Sequence, residues 1–193
     1  MYAAFEGVEG DGRGDHTLNG PIYINGAQPG GSLEIRIRSV DVRLPIAGQS
    51  FVPNRGLLPD DFPIGKDRVL WLDLKKKTTE YAPGVVVPLR PFWGVIAVAP
   101  PPSMGRVPSG PPGPFGGNMD NRDLVSGTTL YLPVFAPGAL LSIGDGHAAQ
   151  GYGEVCLSAI ETSLKGEIQI MLPKHKLWFP KIPSVLKSLN LQE

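Results

Sequence analysis

Within the thirteen residues from Gly144 to Cys156, GDGHAAQGYGEVC, the chain gathers an acid, an imidazole, a carboxamide, a second acid and a thiol. Such a set can polarise a carbonyl, activate a nucleophile and protonate a leaving group, the three demands of hydrolysis at neutral pH. Asp145 and His147 stand two residues apart. In an extended chain that spacing turns both side chains to one side, which suits two ligands of one metal ion. The same pair also reads as a turn aspartate beside a hydrogen-bonded histidine. Glu154 is able to carry a proton if its surroundings tune it, or is an exposed carboxylate at the start of a strand. Cys156 lies in an apolar run and reads either as a small buried hydrophobe or as a nucleophile, should a base lie nearby. The four glycines of the segment permit close backbone approach.

A second cluster, Gly116 to Asp123 (GGNMDNRD), repeats the two-residue spacing with Asn118 and Asp120. They could supply oxygen ligands or hold a substrate, or form an Asx turn that caps the next segment. His16, near the start, is a third candidate whose plainer reading is a solvated histidine, and His175, between two lysines, reads as surface.

The elements that must position these groups are strands. Glycine (25) and proline (21) are abundant among the 193 residues, and both weaken helix interiors while punctuating turns. Leu33 to Arg38 alternates apolar and charged residues, the mark of a half-buried antiparallel strand with Leu33, Ile35 and Ile37 inward. Ile22 to Ile24 precedes it through a turn at Gly26 and 29–31. Val69 to Leu74, Val85 to Val87 and Val95 to Val98 are further strands. Thr128 to Phe135 and Ala139 to Ile143 read as a hairpin about Pro137-Gly138, and Glu154 to Glu161 with Glu167 to Leu172 as a pair turning near Gly166. The stretch 100–117 is too rich in proline and glycine for a ladder and is read as a long ordered loop, since chemistry-bearing residues begin right after it. The best helical pattern runs from Ile182 to Leu191. The expected fold is mainly β, a sandwich or distorted barrel with long Pro/Gly-rich loops.

Composition excludes several functions. Hydrophobic residues make up 41%, enough for a core. Lysine plus arginine equals aspartate plus glutamate at 18 each, so no nucleic-acid or anionic-membrane partner is expected. Lys75 to Lys77 reads as a solvated turn. A single cysteine allows no internal disulfide. Neither a secretory signal nor an apolar membrane span stands out, and a cytoplasmic location is expected.

Five segments in order across 15–165 carry a family resemblance. Asn19 to Gly30 (NGPIYINGAQPG), Val87 to Ile96 (VPLRPFWGVI), Gly116 to Asp120 (GGNMD), Thr128 to Phe135 (TTLYLPVF) and Gly144 to Cys156 resemble sequence blocks of the acetamidase/formamidase family. The resemblance implies a β-rich fold, hydrolysis of formamide- or acetamide-like substrates, a divalent metal (zinc, with calcium as the alternative) and a homo-oligomer such as a dimer. Carried over position by position, the functional residues are Asn118, Asp120, Asp145, His147, Gln150 and Glu154. The simplest scheme makes Asp145 and His147 metal ligands, His147, Gln150 and Glu154 catalytic, and Asn118 and Asp120 substrate-binding. Two positions depart from the pattern: Gly31 and Tyr152 stand where the family carries or often carries aspartate. The family domain is expected over 1–173, lacking its N-terminal part, with a divergent tail over 174–193. Three readings follow: a metal-assisted amidase, a cysteine-dependent amidase using Cys156, and a non-catalytic amidase-like module.

Overall fold

The computed structural model describes residues 16–173 and 184–187. Thirteen strands run through them: β1 (Leu18–Ile22), β2 (Ser32–Val42), β3 (Ile46–Phe51), β4 (Lys66–Asp73), β5 (Thr78–Ala82), β6 (Val85–Pro88), β7 (Phe92–Ala97), β8 (Gly116–Asn118), β9 (Thr128–Pro133), β10 (Leu141–Ala149), β11 (Ile160–Glu161), β12 (Leu164–Met171) and β13 (Ser184–Lys187). Among the described residues the sole helical turn is a 3-10 turn at Pro102–Met104. No helix there is long and apolar enough to cross a membrane. The mainly β expectation therefore holds.

The strands form two antiparallel sheets. The larger runs β6-β5-β4-β3-β11-β10-β7-β8, with β1 also paired to β10; the smaller runs β12-β2-β9-β13. Period-two alternation in β2 buries Leu33, Ile35 and Ile37 as the sequence pattern requires. They pack with Leu130 and Leu132 of β9 against Ile96, Leu141 and Ile143 of the larger sheet. Each such side chain contributes about 1.5–3 kcal/mol by leaving water. A second cluster around Leu70, Leu72, Ala148 and Ile160 closes the far end of the larger sheet.

Several pairings differ from local expectation. β9 and β10 are not a hairpin: they belong to different sheets, and the chain turns a corner between them. Apolar residues on both flanks of Pro137-Gly138 bury against the inter-sheet core, which a planar hairpin would not allow. Likewise 154–159 is loop, only β11 follows it, and β12 pairs with β2 in register from Leu164↔Val42 to Met171↔Glu34. The helical pattern at Ile182 to Leu191 is overruled where the backbone is described, because Ser184–Lys187 pairs with β9 as β13; the rest of that segment, and His175, lie outside the described residues. Lys75 to Lys77 forms the expected turn, with Asp73 accepting from the backbone N–H groups of Lys75 and Lys76 at 3.0 and 2.9 Å.

Candidate active site

Strand β10 is the spine of the site. It pairs with β7 along one edge, and with β1 and then β11 along the other. Cross-strand register sets Glu161 opposite His147, a proximity hidden by the intervening sequence 148–160. Gly144 lets β1 close onto β10: a Cβ there would lie 2.3 Å from Thr17 O. That contact delivers His16, just before β1, to the same place.

His147 is 1% exposed and stands edge-on to Phe92, ring centroids 4.8 Å apart. Its Nε2 lies 3.2 Å from Glu161 Oε2, 3.3 Å from Asp145 Oδ2, 3.8 Å from Glu154 Oε1 and 3.9 Å from Asp120 Oδ1. The i, i+2 convergence of Asp145 and His147 is realised, although Asp145 adopts φ +57° rather than a regular strand angle. Asp120 follows β8, also at positive φ (43°). Its N–H and that of Met119 both donate to Gly94 O, at 3.2 and 3.0 Å, which ties it to β7. Glu154 comes from the loop after β10. Gln150 Nε2 donates to the backbone oxygen of Asp120 at 2.8 Å, a second tie on that residue.

Four carboxylates thus surround one imidazole. Burial pushes the His147 ring toward neutrality, but Asp145, Glu161 and Glu154 outweigh it and raise the ring to about 9. Burial, then the charge of Asp120, lifts Glu154 to about 7 despite His147. Burial likewise raises Asp120 and Glu161 against the pull of His147. The surplus of negative charge suits a cation. Asp120 Oδ1 and Glu154 Oε1 are buried without a hydrogen-bond partner, an arrangement an ion between them would relieve. Asp120, His147 and Glu154 form one set able to hold a metal ion, and Asp145, His147 and Glu161 another, with donor atoms in each within 4.8 Å of one another. Their N/O donor chemistry fits a divalent ion such as zinc.

Asp120, Glu154 and Asn118 line a cleft of about 1120 Å³ whose walls include Arg122, Tyr152 and Cys156. The 100–117 stretch is loop and turn up to Gly116 and Gly117, which enter the ladder as the start of β8, and it forms part of the rim through Gly110, Pro112 and Gly113. Asn118 Oδ1 and Gln150 Oε1 are buried acceptors without partners. The sequence-derived residues Asn118, Asp120, Asp145, His147, Gln150 and Glu154 all come together here. Cys156 is partly buried, its Sγ 3.7 Å from Ser158 O. One residue was missed, and another has a closer role than its plainer reading gave it. Glu161 had no local signal and required the β10–β11 register. His16 is not merely solvated: its Nδ1 pairs with Ser109 Oγ at 2.7 Å and its Nε2 lies 3.9 Å from Asp145 Oδ2.

Comparison with known proteins identifies the family and the fold. The model of the Acetamidase/Formamidase family matches residues 11–109 and 106–185. An acetamidase of Bacillus halodurans of known crystal structure superposes with a TM-score of 0.81 at 34% identity, covering 88% of this chain and 55% of that one. The acetamidase of Mycolicibacterium smegmatis is 26% identical over 72% of this chain and 49% of its own length. The formamidase of Methylophilus methylotrophus is 28% identical over 82% of this chain and 52% of its own. The chain thus spans about half the length of the curated relatives it matches.

Proposed function

This chain belongs to the acetamidase/formamidase family, and from that premise we propose that it hydrolyses the C–N bond of small linear amides to a carboxylate and ammonia. The observation that carries the reading is the convergence of Asp120, Asp145, Glu154 and Glu161 on His147 Nε2 beside an open cleft. Asp145 and His147 would hold a divalent ion, and zinc suits such an imidazole–carboxylate set. When bound, that ion supplies Lewis acidity, which offsets developing negative charge on the amide oxygen.

The chain's own groups do the rest. Asn118 Oδ1, an unpartnered acceptor on a residue that lines the cleft, can accept from an amide N–H group. Such an acceptor favours an NH₂ group over an ester oxygen, because a buried acceptor facing an ester would stay unsatisfied. Glu154 carries a proton at a pKa near neutrality, which suits a group that takes a proton from the attacking water and gives it to the leaving nitrogen. Glu161 and Asp120 face the same nitrogen, His147 Nε2, at 3.2 and 3.9 Å and would add negative charge around a bound ion. Homo-oligomerisation is supported by the exposed apolar face of β4 and β6, where Val69, Trp71 and Val86 are 65, 72 and 62% exposed.

Ammonia release from formamide and acetamide, measured before and after chelation and after zinc return, tests the proposal beside a His147→Ala control. Turnover that chelation removes and zinc restores supports it. A folded chain without turnover favours the alternative, a non-catalytic amidase-like module.

A further inference from the structure

We propose that the substrate is a primary amide whose acyl chain ends in a carboxylate, the half-amide of a small dicarboxylic acid, and that Arg122 binds that carboxylate; the inference rests on the amide-hydrolysis reading above. Hydrolysis adds water across the C–N bond and releases a dicarboxylate and ammonia. Three observations carry the proposal. The first is size. Formamide and acetamide are only a few atoms across and meet the part of the cleft where Asn118, Asp120 and Glu154 stand. The cleft measures about 1120 Å³, above the usual range of about 300–1,000 Å³ for small-molecule sites. Room remains for a longer acyl chain.

The second observation is an uncommitted donor. Arg122 lines the same cleft, and its Nε is buried without a hydrogen-bond partner. A buried donor left unpaired costs stability, and an oxygen brought by a ligand relieves it. The acids that share the cleft are engaged elsewhere. Asp120 and Glu154 face His147 Nε2 at 3.9 and 3.8 Å, and Asp123 accepts from Arg90 at 3.0 Å. The planar guanidinium fork matches the two oxygens of a carboxylate, so the acceptor that suits Arg122 is an acid carried in by the ligand. Arg55, exposed on the cleft wall, adds charge of the same sign.

The third observation is how Arg122 is placed. It stands two residues after Asp120, so the two Cα atoms are at most about 7 Å apart, a span that suits a short acyl chain. Its turn is anchored: the N–H groups of Asp123 and Leu124 donate to Asn121 at 3.0 and 2.9 Å, and Leu124 is fully buried. Tyr152, two residues before Glu154, also lines the cleft and lays its ring over the guanidinium, with Arg122 Cζ 4.7 Å from the ring centroid. The ring covers the positive charge without neutralising it. Tyr152 is itself 87% exposed, and such a contact is worth about two- to fivefold in a binding constant. Charge-assisted hydrogen bonds to a carboxylate are worth about 10- to 100-fold, so an incoming carboxylate displaces the ring.

The test uses the full chain and the half-amides malonamate, succinamate and glutaramate, each beside a neutral amide that carries a methyl ketone in place of the carboxylate. Ammonia release gives kcat/KM for each pair in wild type and Arg122→Gln, calorimetric titration gives affinity independently of turnover, and circular dichroism confirms that the variant folds. In wild type at least one half-amide is expected to exceed its neutral counterpart by about 10- to 100-fold in kcat/KM, and Arg122→Gln to bring that ratio to about one. A ratio near one in wild type, or a ratio that survives Arg122→Gln, would overturn this inference and leave amide hydrolysis standing. An equal loss on both members of a pair would do the same, because Arg122 would then serve the reacting end of every amide. If no amide is turned over, the hydrolysis reading falls and calorimetry decides: half-amide binding that Arg122→Gln weakens supports the carboxylate site, and its absence overturns it.

Discussion

Gly94 is the floor of the site, and replacing it with alanine is the sharpest perturbation available. An ideal Cβ there would lie 2.4 Å from Asp145 Oδ2, 2.6 Å from Asp120 Oδ1 and 2.8 Å from His147 Cε1. Ordinary contact begins near 3.4 Å, so the three groups must retreat by roughly 0.6–1.0 Å. They cannot retreat independently, because Asp120 is tied to Gly94 O and to Gln150 while His147 is packed on Phe92. A misplacement of about 1 Å costs on the order of a hundredfold in rate, or about 2.7 kcal/mol in barrier. The backbone itself tolerates the change, since Gly94 is not among the glycines with positive φ, and alanine in a strand interior is favoured over glycine by about 0.5–1 kcal/mol. Gly94→Ala should therefore lose about a hundredfold in amide turnover and bind zinc less tightly, while the thermal midpoint moves by only a few degrees. Gly48→Ala, on the same sheet with nothing within 4 Å of its Cβ, is the matched control and should be silent. Gly94→Ala with turnover within threefold of wild type would refute the cradle geometry.

Three further outcomes are expected. Glu154→Gln keeps the shape but cannot carry a proton, so kcat for amide hydrolysis should fall by roughly 10²–10⁴ with KM little changed; steady-state kinetics checks this. Cys156→Ala should leave turnover within about twofold of wild type, and a dead variant would revive the cysteine-dependent reading. In the metal-free chain His147 holds its proton up to about 9 and Glu154 up to about 7, whereas the unfolded chain releases them near 6.5 and 4.5. The native state therefore binds more protons between about pH 4.5 and 9, and stability must fall as pH rises through that window. Thermal melts under chelator should show the midpoint falling, and added zinc should offset the fall most at the alkaline end; a midpoint that rises with pH would contradict the carboxylate–imidazole cluster.

Much of this protein is legible without coordinates. Alternation at Leu33 to Arg38 and the density of glycine and proline determine a β architecture, because a strand's faces are set by a local period of two. Asp145, His147, Gln150 and Glu154 announce themselves by lying together in one glycine-rich segment, and Asn118 and Asp120 by an equally local pattern. What local pattern cannot carry is pairing. β9 and β10 look like a hairpin, yet burial of their apolar faces against opposite sides of the inter-sheet core assigns them to different sheets. Ser184–Lys187 carries a helical spacing but completes the smaller sheet through β9, since unpaired backbone groups on that edge gain hydrogen bonds from an added strand. Glu161 and His16 enter the site only through register with β10. Cross-strand neighbours are fixed by which backbone groups find partners and which faces leave water, and both are properties of the whole fold.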